Sequence, residues 1–209
     1  PLVTRQTYAI GEKIGEITLF DLVKVAMRKR PDYIVVGEVR GEEAFVLFQA
    51  AATGHGCMCT MHADSIEAAI KRLTSPPMNV APSYISLMNC AVIIRRVELP
   101  SGVYRKVVGV YEILDHEKYS KIFSWIPSID DFEPKSVEEI VSKSFLLDQI
   151  RVERGWSRRR IYEELKCRLA FFKELNSRGI REYEEVVKEL RIFYVRKLTY
   201  DVRRVRIEL

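Results

Sequence analysis

A glutamate and a histidine in the first third of the chain have the residue types and spacing for acid–base chemistry. Glu38 directly follows a short apolar run, residues 33–37, and His62 directly follows a second short run, residues 57–61. A carboxylate there can orient and deprotonate a water molecule, and an imidazole can donate to an anionic oxygen. Each residue alone is more simply explained as a helix N-terminal glutamate and a histidine at the edge of the core.

The elements between Glu38 and His62 decide whether the two side chains meet. The first apolar run does not alternate, which is typical of a strand buried on both faces in a parallel sheet. A well-buried helix is predicted from Gly41 to a C-cap at Gly54, and it connects the two strands in a β-α-β unit. A right-handed crossover places the ends of both strands at one sheet edge, where ligands bind in open parallel sheets. The joint placement therefore favours a shared site.

The neighbouring segments complete an α/β unit. Thr18 is predicted to cap a helix over residues 19–29. Asp64 and Glu67 form a capping-box-like start for a helix after the second strand. Beyond it, the apolar runs predict an antiparallel hairpin and one further strand, over residues 92–96, 107–114 and 119–126.

The composition changes near Pro127, where the linker-like stretch "PSIDDFEP" begins. We therefore expect two domains, residues 1–127 and residues 128–209. Three helical patterns follow the linker and predict a small all-α bundle. They cover residues 137–154, 158–178 and 181–200, with an apolar stripe through Ile161, Leu165, Leu169, Phe172, Tyr183, Val186, Val187 and Leu190.

Bulk composition argues against several classes of protein. The 209 residues carry a net charge of +5 and are 47% apolar, which suits a folded domain and does not by itself indicate nucleic-acid binding. No apolar stretch approaches the ~18 residues that span a bilayer, and residues 1–20 lack the apolar core of a signal peptide. The cysteine spacing suits no zinc site, so we predict no metal site, a reduced cytoplasmic protein, and Cys57 and Cys59 as small core residues.

Two segments carry a resemblance to a known family. "RPDYIVVGEVRGEEA", residues 30–44, and "AAATGHGCMCTMHADS", residues 50–65, resemble the Walker B and His-box motifs of the type II/type IV secretion ATPase superfamily. Its members are hexameric motors of secretion systems, type IV pili and the archaellum. The resemblance covers roughly residues 1–97 and is nearest to the archaeal branch, where a helical segment follows the core. It implies the C-terminal part of a RecA-like P-loop ATPase core followed by an all-α bundle.

The resemblance also implies roles for individual residues. Glu38 matches the glutamate that activates the attacking water, and His62 matches the His-box histidine near the γ-phosphate. His55 matches the first His-box histidine, and Arg40 follows the Walker B glutamate as in relatives, so both are expected near the nucleotide. The family's arginines that reach a neighbouring subunit's nucleotide in trans would match Arg5 or Arg28. A surface salt bridge is an equally good interpretation of each arginine.

One motif of the family does not occur in this sequence. A P-loop requires G-x-x-x-x-G-K-[ST], and none of the 209 residues provides it. We therefore expect the chain to be the C-terminal part of a longer motor that uses ATP and Mg²⁺, with no nucleotide tightly bound to these residues alone. The resemblance implies a homo-hexamer that is cytoplasmic and peripherally associated with the membrane through a polytopic inner-membrane platform protein.

Two alternative functions remain at this point. The chain could be an interaction module that keeps the sheet without catalysis. It could also be a nucleic-acid-binding helical domain, for which Arg203, Arg204 and Arg206 are the candidate contacts. Aromatic residues do not interleave with these arginines in a stacking pattern, which favours a protein that does not bind nucleic acid.

Overall fold

The computed structural model describes residues 1–5 and 15–207, with side chains up to Lys197. The chain divides into two compact units, Pro1–Lys135 and Ser136–Leu209. In chain order, the described part of the first unit contains α1 (Leu19–Arg28), β1 (Tyr33–Val36), α2 (Glu43–Ala52), β2 (Gly56–Cys59), α3 (Ile66–Thr74), a 3-10 helix (Pro82–Met88), β3 (Cys90–Leu99), β4 (Gly102–Ile113), β5 (Tyr119–Ile126) and β6 (Asp131–Glu133).

β1 and β2 form a parallel pair joined by α2, as the β-α-β pattern predicted. The pairing runs from Tyr33 opposite Gly56 to Val36 opposite Cys59. A Cβ at Gly56 would lie 2.6 Å from the Tyr33 ring, so a larger residue there would displace that exposed ring. The matched register brings the carboxyl ends of both strands to the same edge of the pair.

The prediction that the first strand is buried on both faces is wrong. Ile34 and Val36 are buried in the core, whereas Tyr33 and Val35 are 68% and 67% exposed. Successive side chains of a strand point to opposite faces, and the described residues cover only the face with Ile34 and Val36.

Of the two cysteines of β2, both predicted to be small core residues, only Cys59 differs from the prediction. Cys57 is half-buried and packs against the core, but Cys59 is exposed. Cys59 lies at the last position of the strand, where the described core no longer covers it.

Local capping residues fix the helices on either side of the parallel pair. Thr18 caps α1, and its side chain and that of Asp21 form the two bonds of a capping box. The cap of α3 is Ser65, which accepts from the N–H of Ala68, one residue later than the predicted Asp64. A serine hydroxyl satisfies a free N–H of the first turn as well as an aspartate does, so the sequence pattern did not separate the two.

Strands β3 to β6 form an antiparallel sheet in sequence order, which contains the predicted hairpin and the predicted strand. The α/β fold class is thereby confirmed. Because β6 pairs with β5, the segment after Pro127 belongs to the first unit. The boundary therefore lies after Lys135 rather than after Pro127.

The described part of the second unit is helical, with α4 (Val137–Lys143), α5 (Phe145–Glu153), α6 (Arg158–Ser177) and α7 (Tyr183–Ile207). The single helix predicted over residues 137–154 is wrong, because Ser144 ends α4 and its hydroxyl caps α5 by accepting from Leu147 N–H. None of the described helices is both long and apolar enough to cross a membrane.

The apolar stripe predicted for the bundle is only partly buried. Ile161 is buried, but Leu169, Phe172 and Tyr183 are exposed. Contact between α6 and α7 includes the rings of Phe171 and Phe193, whose centroids lie 4.5 Å apart. Helical spacing alone indicates which residues share a face and does not indicate how far a neighbouring helix covers it.

Candidate active site

Glu38 and His62, which the sequence analysis placed at one sheet edge, are in contact in the structure. Glu38 and His62 follow the carboxyl ends of β1 and β2, and Glu38 Oε1 lies 3.3 Å from His62 Nε2. The predicted placement at one sheet edge is confirmed. The His62 side chain is 79% exposed and that of Glu38 is 28% exposed, so the pair lies at an open surface.

Arg40 is the strongest electrostatic partner of Glu38. Its Nη2 donates to Glu38 Oε2 at 2.6 Å. This hydrogen bond, with the positive charges of Arg40, His62 and Arg72, lowers the pKa of Glu38 below its ordinary value, although partial desolvation opposes the shift. The same bond raises the pKa of Arg40. At neutral pH the Glu38 side chain is therefore a carboxylate.

The two carboxylate oxygens of Glu38 are not equivalent. Oε2 accepts from Arg40, whereas Oε1 is buried and accepts no hydrogen bond from the described residues. A buried carboxylate oxygen without a hydrogen bond is energetically unfavourable, and the nearest described polar group is His62 Nε2, 3.3 Å away.

The backbone around Glu38 is held by residues that the sequence did not single out. Thr60 Oγ1 donates to Gly37 O at 2.6 Å, and the Val39 N–H donates to Thr60 O at 2.9 Å. Thr60 thus bonds the residues on both sides of Glu38. No local pattern relates these segments, since the contact exists only once β1 and β2 pair in this register.

Glu43 fixes the loop that follows Glu38. Its Oε1 accepts from the backbone N–H of Arg40 at 2.6 Å and of Gly41 at 2.9 Å. An acidic residue in the first turn of a helix is the signal that could have indicated this role, because carboxylates accept from free N–H groups there.

Two arginines bond to the loop that carries His62. Arg72 Nη1, from α3, donates to His62 O at 2.7 Å. Arg95 Nη2, from β3, donates to Asp64 O at 2.6 Å. The sequence contained no signal for Arg95, which is 31 residues from its acceptor.

His55 lies at the other end of β2 from His62. It directly precedes the strand, and its Nδ1 lies 3.2 Å from both Thr53 Oγ1 and Ala50 O at the C-terminal end of α2. A four-residue strand is about 13 Å long, which separates His55 from Glu38. The structure therefore favours a helix-end role for His55, and its predicted place near the nucleotide stays a prediction.

The two candidate trans arginines also lie apart from the pair. Arg5 forms a backbone bridge with Ile17, and its Nε donates to Gly15 O at 2.6 Å. Arg28 is exposed in the last turn of α1. Neither has a described contact with Glu38 or His62, and their role stays a prediction.

Comparison with known proteins supports the motif-based interpretation. The family model described as type II/IV secretion system protein matches residues 4–101. A protein of Methanocaldococcus jannaschii is 37% identical over 186 residues, which is 86% of this chain and 66% of that protein. The type IV secretion system protein PtlH of Bordetella pertussis is 32% identical over 111 residues, 47% of this chain and 32% of PtlH.

A solved structure is similar at a lower level. The VirB11 ATPase of the Brucella suis type IV secretion system, in complex with sulphate, is 26% identical, with coverage of 46% of this chain and 32% of its own, at a TM-score of 0.38. At this TM-score the structural likeness assigns nothing to the chain.

The chain matches the type II/IV secretion system protein family over residues 4–101, as its two motifs predicted. It spans between 32% and 66% of the length of the relatives described above.

Proposed function

We propose that the chain is the C-terminal portion of an archaeal-type hexameric ATPase that powers protein secretion or the assembly of a pilus or archaellum, with Glu38 as its general base. The observation that supports this most is the Glu38 carboxylate, which Arg40 holds through one oxygen while the other oxygen, beside His62, accepts no hydrogen bond from the described residues. The identity to the Methanocaldococcus jannaschii protein supports the archaeal branch.

In this proposal each side chain has one task. Glu38 Oε1 orients a water molecule and takes its proton as the water attacks phosphorus. His62 Nε2, next to that oxygen, donates to the negative oxygens that surround the attacked atom. Arg40 fixes the orientation of the carboxylate. It is not needed for ionisation at neutral pH, because a glutamate of ordinary pKa is already charged there.

The described residues fit one side of a nucleotide site. Glu38, His62 and the nearby cations Arg40 and Arg72 could face a terminal phosphate. Among the described residues no group of three His, Cys, Asp or Glu side chains is arranged to hold a metal ion, and the sequence has no phosphate-binding loop. We therefore assign Mg²⁺ and most phosphate contacts to other parts of the full-length protein, and we propose that the 209 residues alone are inactive.

The assembly and its location are also part of this proposal. Arg5 or Arg28 would reach the nucleotide of the neighbouring subunit in a homo-hexamer. The ring would work in the cytoplasm, associated with the membrane through a polytopic platform protein. No nucleic-acid partner is proposed, and the side chains of Arg203, Arg204 and Arg206 lie outside the described residues.

The test is Glu38→Gln in the full-length protein, with Glu42→Gln as the matched control. Glu42 is an exposed glutamate at the start of α2 whose side chain makes no capping bond. Glu38→Gln should bind nucleotide as the wild type does and lose about 10²–10⁴-fold in hydrolysis rate, the usual contribution of a positioned base. A loss below about tenfold in steady-state assays would remove Glu38 from the role and leave the non-catalytic interaction module as the better hypothesis.

A further inference from the structure

In the loop that carries His62, the backbone carbonyl of every second residue accepts a hydrogen bond from another element. Residues 60–64 form neither helix nor strand. Thr60 O accepts from Val39 N–H, at 2.9 Å. His62 O and Asp64 O accept from Arg72 and Arg95, at 2.7 and 2.6 Å. Three separate elements, the loop after β1, helix α3 and strand β3, thus hold one five-residue segment.

The His62 side chain needs such support. It is 79% exposed, so the protein interior does not restrict its rotamers by packing. Its described polar contact is the 3.3 Å approach to Glu38 Oε1. An exposed imidazole keeps that geometry only when its backbone is fixed, because a small rotation of the loop displaces the ring by an ångström or more.

Arg72 and Arg95 also bring positive charge to the loop, because the groups that accept their hydrogen bonds are uncharged. Arg72 and Arg95 donate to neutral carbonyl oxygens, and among the described residues neither forms an ion pair with a carboxylate. Within the described part of the chain, neither guanidinium charge is therefore neutralised by a direct ion pair beside the loop. The charge of Arg72 extends to the neighbouring carboxylate, where it contributes to the lowered pKa of Glu38.

We infer that Arg72 and Arg95 are positioning residues that fix the loop of residues 60–64 and thereby hold His62 against Glu38. Arg72 acts from the helix that follows the loop, and Arg95 ties the loop to the antiparallel sheet. Their effect on hydrolysis rests on the proposed function, whereas their effect on the His62–Glu38 geometry does not.

The geometry is tested first, on the 209-residue chain without nucleotide. The readout is the nuclear Overhauser effect between the His62 ring and the Glu38 side chain, with His62→Gln identifying the ring among the three histidines. A displacement of about 1 Å, the scale at which catalytic geometry fails, weakens this effect about threefold or more because it falls with the sixth power of distance. Arg72→Gln and Arg95→Gln should each produce that loss.

Neighbouring residues provide matched controls. Lys71→Gln and Arg96→Gln each remove a charge one position away from a positioning arginine, at residues without a described bond to the loop. Both should leave the Overhauser effect unchanged. Circular dichroism verifies that each variant is folded. If Arg72→Gln or Arg95→Gln does not fold, the corresponding lysine variant, which keeps the charge and loses the planar fork, decides in the same way.

The outcomes separate this inference from the proposed function. An unchanged Overhauser effect in folded Arg72→Gln and Arg95→Gln overturns the positioning role, whatever the protein's activity. In the full-length protein, the same variants should lower kcat about 10–100-fold with KM nearly constant, as for lost orientation in the transition state. A lost Overhauser effect with kcat unchanged would overturn the catalytic relevance of the His62 position.

Discussion

Glu38 Oε1 lies 3.3 Å from His62 Nε2, and the parallel pairing of Val36 with Cys59 brings the two residues together. The contact does not depend on either side chain being buried, since both reach solvent. It depends on backbone bonds around each residue, from Thr60 on one side and from Arg72 on the other.

Replacement of Arg40 should change the titration of Glu38. Arg40→Ala removes the largest cause of the lowered Glu38 pKa, so that pKa should rise toward the ordinary glutamate value. The measurement is the pH dependence of the Glu38 carboxyl ¹³C shift. Lys71→Ala, which removes a charge elsewhere on the same unit, should leave this titration nearly unchanged. A Glu38 pKa that stays the same in Arg40→Ala would contradict the ion pair.

The same ion pair predicts a pH dependence of stability. A carboxyl whose folded pKa is below its unfolded value contributes stability above the unfolded value, and that contribution disappears as the pH falls through the folded pKa. Wild type should therefore lose more stability than Arg40→Ala between neutral pH and acid. Urea denaturation at a series of pH values compares the two, and parallel curves would count against the prediction.

Thr60 should stabilise the backbone on both sides of Glu38 through its hydroxyl. Thr60→Val keeps the shape and the backbone bond to Val39 but removes the donor to Gly37 O. We expect a loss of about 0.5–1 kcal/mol in the free energy of unfolding, at the lower end of the range for a hydrogen bond because the site is exposed. Urea denaturation measures this loss. Thr60→Ser keeps the hydroxyl and should therefore retain most of the wild-type free energy of unfolding. Equal losses in both variants would exclude the hydroxyl as the cause.

The 209 residues alone should bind Mg·ATP weakly. Most affinity in P-loop proteins comes from backbone N–H groups, a lysine and a metal together, so we expect a dissociation constant of about a millimolar or weaker. Isothermal titration calorimetry on the purified chain measures it. A constant near a micromolar would reveal a phosphate site that the sequence and the described residues do not contain.

Glu164 should be the most important ionic residue of the second unit. Its side chain is 9% exposed and forms ion pairs with Arg160 and Arg168 on α6 and with Lys197, which joins α6 to α7. Glu164→Ala leaves these cations without that carboxylate, so we expect a loss of about 2–4 kcal/mol, somewhat below the usual range for a broken buried pair because the partners reach solvent. Thermal or urea denaturation measures the loss.

Glu163 provides the control for that prediction. It is the preceding residue, and its ion pair with Arg159 is exposed. Glu163→Ala should cost below about 1 kcal/mol, as exposed pairs usually do. Similar losses in Glu163→Ala and Glu164→Ala would show that helix propensity, and not the buried ion pairs, determines the effect.

Much of the fold could be predicted from local residue types. Thr18 caps a helix because its hydroxyl accepts a free N–H, and this requires only the neighbouring residues. The strand Tyr119–Ile126 was predicted with its observed bounds, and the hairpin before it follows from two apolar runs separated by a turn. The boundary after Lys135 was not predictable in this way, because β6 is recognised only through its pairing with β5.

The sequence by itself determined that Glu38 and His62 end successive strands, since a β-α-β pattern with its crossover rule leaves one arrangement of those ends. Only the tertiary structure decided what surrounds them. Arg95 bonds to Asp64 because β3 lies beside the loop. His55 lies at the opposite end of β2 from His62, and its distance from Glu38 follows from the parallel pairing of β1 with β2. Residue type and spacing govern local conformation, whereas contacts between distant segments depend on register and packing, which no local pattern encodes.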